Sequence, residues 1–184
     1  MDRRQRKTRE AIFAAFIDLL SKKDFERITV GEIIESADIG RATFYAHFET
    51  KDFLLKELCE ELFCHILDSA KDHGAEEHRH IFKCDAPDSV FLHLFEHLQR
   101  NDNNILALLS SRNNELFLRY FKTDLRRLVK GQLQHFEERR DGRLPEDFWI
   151  DHITSTFIET VRWWIENGMT ESPEKITEYF YLAV

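Results

Sequence analysis

The chain has 184 residues, 42% hydrophobic and 33% charged, with six Gly and three Pro. That is enough apolar material for a core in one domain, or in a small domain joined to a larger one, and it leaves no composition for a long linker or low-complexity segment. The net charge is −8, and no stretch approaches the roughly 18 uninterrupted apolar residues of a membrane helix.

The distribution of charge matters more than its sum. Residues 1–52 hold ten Lys/Arg and ten Asp/Glu, whereas residues 53–184 hold 16 and 24. The front end is the less acidic pole, and within its first nine residues five basic side chains face only Asp2. MDRRQRKTRE leads into an amphipathic pattern, so it reads as a positive arm and not as a secretion signal. Cys59, Cys64 and Cys84 are odd in number and lack Cys-x-x-Cys spacing. Reduced thiols and a cytoplasmic location are the expectation.

In chain order, residues 7–22 set Ile12, Ala15, Phe16, Leu19 and Leu20 on one helical face. ITVGEII then carries a helix-start signature: Thr29 can cap, Glu32 completes a capping box, and Ile28 with Ile33 forms the hydrophobic staple. That helix is short, because Ser36-Ala37-Asp38-Ile39-Gly40 reads as a tight turn. A second staple, Ile39 on Phe44, opens the next helix, GRATFYAHF. There Phe44 and Phe48 share a core-facing side with Ile33, Ala37 and Ile39. The other faces carry Arg41 with Tyr45, Ala42 with Ala46, and Thr43 with His47.

Small side chains beside an arginine let a helix lie close against another surface, and Tyr, Thr and His donate hydrogen bonds to phosphate oxygens. Arg41 and Lys51 each fall in the first turn of a helix, where the macrodipole disfavours cations by a few tenths of a kcal/mol or more. Such violations of a local rule mark function more often than accident. A cation beside unpaired backbone N–H groups makes an anion site. The pattern points to double-stranded DNA and to a helix-turn-helix.

The remaining chain is also helical in pattern. Residues 50–73 carry a stripe of Phe53, Leu54, Leu58, Leu62 and Ile66, and HGAEEHRHIFKCDA reads as a connection. Further helices are expected near 87–101, 103–110, 114–139, 146–167 and 173–182, with Pro87, Pro145 and Pro173 at helix starts and Gly168 as a stop. No run alternates as a strand would. The predicted fold is all-α, with about nine helices.

Helix 146–167 bears Ile150, Ile153, Phe157, Val161 and Trp164 on one stripe, widened by Ile158 and Ile165. A surface this broad can serve both its own core and a partner helix, and with Ile176, Tyr179 and Phe180 of helix 173–182 it predicts a two-fold, four-helix homodimer interface; burial within one monomer is the alternative. Phe91, Phe95, Phe117, Tyr120, Phe121 and Phe157 are candidate lining for an apolar or amphipathic small molecule, although stripes of this kind are more often plain core. His93 and His97 lie four apart but lack a third ligand at fixed spacing. Glu77-x-x-His80 has no second copy. Solvated or partly buried histidines are expected, with no metal and no cofactor. There is no Gly-x-Ser-x-Gly, phosphate loop or His-Glu-x-x-His, so no catalytic residue is assigned and no enzyme is expected.

Across T-V-x-x-I…A-D-I-G-R-A-T-F-Y-A-H-F-x-x-K-D-x-L, residues 29–54, the chain resembles the TetR family of transcriptional regulators. RWWIENGMTESPEKI at 162–176 is similar to one C-terminal variety of that family. The resemblance implies a three-helix DNA-binding domain over 1–52 and a helical ligand-binding and dimerisation domain over 53–184. It implies a homodimeric repressor released from a palindromic operator by a small molecule that tilts helix 50–73. An architectural or division-control protein without an inducer is the alternative. By position, Arg41 and Ala42 would approach base edges, and Thr29, Thr43, Tyr45, His47 and Lys51 would hold phosphates. Two departures stand out. Asp38-Ile39-Gly40 replaces the usual Gly-Val-Ser turn, removing the hydroxyl cap and asking Asp38 to turn left-handed. Gly31 sits where some members place a base-reading side chain.

Overall fold

Every regular element of the computed structural model, which describes residues 3–69, 89–100, 109 and 115–184, is helical. The expected connection at 73–86, with Glu77, His80 and Cys84, lies outside the described residues. So does the helix at 103–110, apart from Leu109.

The front end is built around phenylalanine. α1 (Arg3–Lys22) turns Ile12, Phe13, Ala15, Phe16 and Leu20 inward. A single 3-10 turn over Phe25–Arg27 then drops Phe25 edge-on against Phe16, with ring centroids 6.2 Å apart. α2 (Val30–Ser36) starts at Thr29, whose hydroxyl accepts from the Glu32 N–H while the Glu32 carboxylate accepts from the Thr29 N–H at 2.9 Å; this is the anticipated capping box. The turn out of α2 puts Asp38 at φ 50°, in the left-handed region that an Asx side chain tolerates. α3 (Arg41–His47) follows, capped only by Gly40 with no side-chain hydrogen bond. Ile33 and Phe44 are fully buried, and Phe44 and Phe48 sit with Phe13 in one ring cluster. Truncating a residue placed like Phe44 to alanine costs about 3–5 kcal/mol.

α4 (Lys51–Ser69) leaves this cluster and runs into the body. Leu54, Leu58, Leu62 and Ile66 are buried as the periodicity predicts, but so are Leu55, Cys59 and Phe63 on the neighbouring face. A helix buried on two sides belongs to two packings. α4 meets α5 (Val90–Arg100) and, more extensively, α6 (Glu115–Gly131). Arg9 ties the front end to α4: its guanidinium lies 2.5 Å from Glu57 and 3.3 Å from Glu61, over the rings of Phe13 and Phe48.

The body closes with α7 (Glu146–Glu166) and α8 (Pro173–Ala183); α6 packs on α7, α7 on α8, and α8 on α5. The helix expected over 114–139 ends early, at Gly131, and continues as two 3-10 turns. Phe136, between the two turns, is fully buried against Phe91, Phe180 and Tyr181. α7 stops at Gly168 (φ 70°) and Met169 (φ 53°), where the Met169 N–H donates to Trp164 O at 2.8 Å. No helix among the described residues is long and apolar enough to cross a membrane.

Candidate nucleic-acid interface

α3 is held by one face and open on the others. Phe44 and Phe48 anchor it, while Arg41, Ala42, Thr43, Tyr45 and Ala46 are exposed and His47 is half-buried. Arg41 makes no ion pair or hydrogen bond among the described residues. Tyr45 is 48% exposed, its ring edge-on to Phe44 at 5.5 Å, so the core sets the ring's position while the side chain faces outward. Between the arginine and the tyrosine, Ala42 and Ala46 leave the backbone within reach of an opposing surface. The arm adds Arg3, Arg4 and Lys7, all exposed; Arg6 leans on Glu10 at 3.4 Å.

Two candidates are engaged elsewhere. The Thr29 hydroxyl donates to Glu32 at 2.9 Å while accepting from the Glu32 N–H, so it serves the cap, although the residue stays exposed. Lys51, expected at a phosphate, points back into the protein. Its ammonium lies 3.0 Å from Phe25 O, 3.0 Å from Ile28 O and 3.3 Å from Glu26 O, and 4.4 Å from the Phe25 ring centroid. An ammonium has three N–H donors, and three carbonyls receive them. In this structure the ammonium at the start of α4 braces the Phe25–Arg27 turn and, through it, the entry to α2.

Glu32 gathers the charges around that entry. It accepts from the Lys23 ammonium, the Thr29 N–H and the Thr29 hydroxyl, and these bonds hold its carboxyl down at about 2.

The body's candidate residues separate into two groups. Phe91, Phe95 and Phe157 join Phe180, with Phe95 stacked on Phe157 at 4.6 Å. Phe117 and Phe121 join Phe63 of α4 instead. Tyr120 is half-buried beneath Arg119. Among the five phenylalanines exposure is at most 1%.

Of the broad surface expected to serve both the core and a partner helix, Ile150, Ile153, Phe157, Val161 and Trp164 serve the core, all buried within the monomer, whereas Tyr179 of the last helix is exposed. The outward side of α7 and α8 carries a different apolar set, Phe148, Trp163, Tyr179 and Leu182. Part of it borders a groove of about 470 Å³, lined by His152, Thr156, Trp163 and Tyr179 among others.

The histidine expectation also changes. His93 and His97 are neither solvated nor partly exposed but buried, and a third imidazole, His65 of α4, stands beside them. Its sequence signal was present though weak: His65 continues the apolar stripe of Leu58 and Leu62 at helical spacing.

Comparison with known proteins agrees with this geometry. Residues 12–58 match the family described as bacterial regulatory proteins, tetR family, and residues 85–184 match its transcriptional regulator C-terminal region. The chain is 41% identical over 69 residues to the HTH-type transcriptional regulator YxbF of Bacillus subtilis, and 32% identical over 66 residues to DhaS, the HTH-type dhaKLM operon transcriptional activator of Lactococcus lactis. These stretches cover 37% and 36% of this chain, and the chain spans 18% and 35% of the length of the two relatives. Over its whole length the chain is similar to the crystal structure of a TetR transcriptional regulator from Streptococcus agalactiae 2603V. That likeness has 36% identity and a TM-score of 0.72, with 97% of this chain and 94% of that one covered. An all-α architecture with an exposed recognition helix, and family matches at both ends, lead to one assignment: the chain belongs to the TetR family of DNA-binding bacterial transcriptional regulators.

Proposed function

We propose that the chain acts as a homodimeric repressor that reads a palindromic operator through α3 and is released by an apolar or amphipathic small molecule. The observation that carries the DNA-reading part is the outer face of α3, where Arg41 has no partner among the described residues and stands beside Ala42 and Tyr45. Arg41 and Ala42 approach base edges in the major groove; Thr43, Tyr45 and His47 take phosphate oxygens. Thr29 contributes at the rim of α2, as far as its capping bonds permit. Lys51 acts from inside, by holding α2 and α3 in register.

The two-fold pairing is placed on the outer faces of α7 and α8, where Phe148, Trp163, Tyr179 and Leu182 are exposed. It would place two α3 helices on half-sites about one helical turn, ~34–36 Å, apart. Selecting bound duplexes from a random pool tests it: one palindrome should emerge, with binding that weakens steeply as salt rises. Failure to enrich any duplex at low salt would defeat it.

For release, Phe117 and Phe121, beside Tyr120, pack on Phe63 of α4, while Phe91, Phe95 and Phe157 pack with Phe180. A small molecule that turns a ring of the first cluster would press on α4, the helix that runs from beside α3 into the body. A coupling of about 1–3 kcal/mol suffices to change operator occupancy. Adding metabolite fractions to the operator-bound protein tests release. Because DhaS is named an activator, a reporter downstream of the selected operator tests the sign: loss of the protein should raise expression.

A further inference from the structure

We propose that His65, His93 and His97 form a binding site for one divalent late first-row metal ion of the zinc type, joining α4 to α5. The three side chains come from two helices and converge. His93 and His97 share one face of α5 at the i, i+4 spacing, and their Nε2 atoms lie 3.1 Å apart. His65 comes across from α4, its ring centroid 5.1 Å from that of His93 and 5.0 Å from that of His97. One nitrogen from each ring can be chosen so that all three lie within 4.8 Å of one another.

Zinc–imidazole bonds of about 2.0–2.1 Å in a tetrahedral site put ligand nitrogens about 3.3 Å apart. The His93–His97 edge, at 3.1 Å, is thus close to ligand spacing, and the His65 ring must turn to bring its nitrogen from within 4.8 Å to the same spacing. Three imidazoles with an open fourth position suit zinc, and also cobalt, nickel or copper; magnesium and calcium require oxygen ligands.

Exposure of 6%, 1% and 2% for His65, His93 and His97 excludes the solvated surface histidines that chelate metal adventitiously. The 3.1 Å contact between His97 Nε2 and His93 Nε2 is a hydrogen bond in the absence of an ion, and a bound cation would replace it. A bound ion would brace the far half of α4, which begins at Lys51 beside the DNA-reading helix, against α5. The site itself does not depend on that DNA-reading role.

The test uses the full chain without an affinity tag, stripped with chelator and titrated with Co²⁺ and then Zn²⁺. One equivalent per chain, with the visible bands of a low-coordinate cobalt site displaced by Zn²⁺, is expected. His65→Gln should abolish those bands, while His135→Gln, at an exposed position remote in sequence from all three, should leave them intact. Absence of the bands, their persistence in His65→Gln, or their loss in His135→Gln overturns the proposal. On the unaltered protein, X-ray absorption at the zinc edge gives an answer independent of variant folding. Three imidazole nitrogens at about 2.0–2.1 Å support the site, and a shell of sulfur or oxygen alone refutes it.

Discussion

Replacing Lys51 by methionine (Lys51→Met) keeps most of the side chain's apolar stem and removes the ammonium that reaches Phe25 O, Ile28 O and Glu26 O. The Glu26 contact is long and exposed, so water replaces it at little cost. The other two, at 3.0 Å and half-buried, are each worth about 1 kcal/mol after competition with water is allowed for. Loss of the cation from the Phe25 ring, 4.4 Å away, adds about 0.5–1 kcal/mol. The sum is about 2–3 kcal/mol. For a chain of this size that lowers Tm by about 4–12 °C. Thermal unfolding followed by circular dichroism reads this directly. The decisive companion is operator affinity against salt, because neutralising one phosphate contributes about one to the slope. The slope should stay unchanged in Lys51→Met at a temperature where the variant is folded. A slope that falls by about one with Tm unaltered would refute the bracing role and return Lys51 to the phosphate backbone.

Arg41→Ala should leave Tm unchanged, since nothing among the described residues holds that guanidinium. It should weaken operator binding by about 1–3 kcal/mol and relax preference at one base position; uniform weakening across sequences would make it a phosphate contact. Glu32 has a folded value near 2, below the usual 4.5, held there first by Lys23 and then by Thr29. Its contribution is therefore fully present above about pH 4.5 and lost as pH falls towards 2. Glu32→Gln should flatten the fall in Tm across that window, and an unchanged pH profile would count against the network. Trp163→Glu places a charge on the outer face of α7 at a side chain 46% exposed in the monomer. Sedimentation should show monomers with an intact helical spectrum, a loss of about 2 kcal/mol or more if Trp163 lies at the centre of the interface. A dimer that persists would place the two-fold face elsewhere.

What could be read from the residues alone is what short-range physics controls. A helix start depends on groups three or four positions apart, so the Thr29–Glu32 box, the tight turn over 36–40 and the stop at Gly168 were legible, whereas the left-handed Asp38 followed from the family resemblance. So was the arrangement of α3, because Phe44 and Phe48 dictate which faces of a single helix remain for Arg41 and Tyr45. The tertiary structure decided which side chains from different helices meet, and that depends on packing between segments far apart in sequence. Arg9 could not be matched to Glu57 and Glu61, nor His65 to His93 and His97, by any spacing rule. Lys51 shows the same limit most plainly: the helix-start position that suggested an anion site was real, but three carbonyls from a turn more than twenty residues earlier reach its ammonium. The wide apolar stripe of α7 was equally ambiguous. Periodicity reports that a face is buried, and only the packing of α6 and α8 against it shows that the covering comes from the same chain.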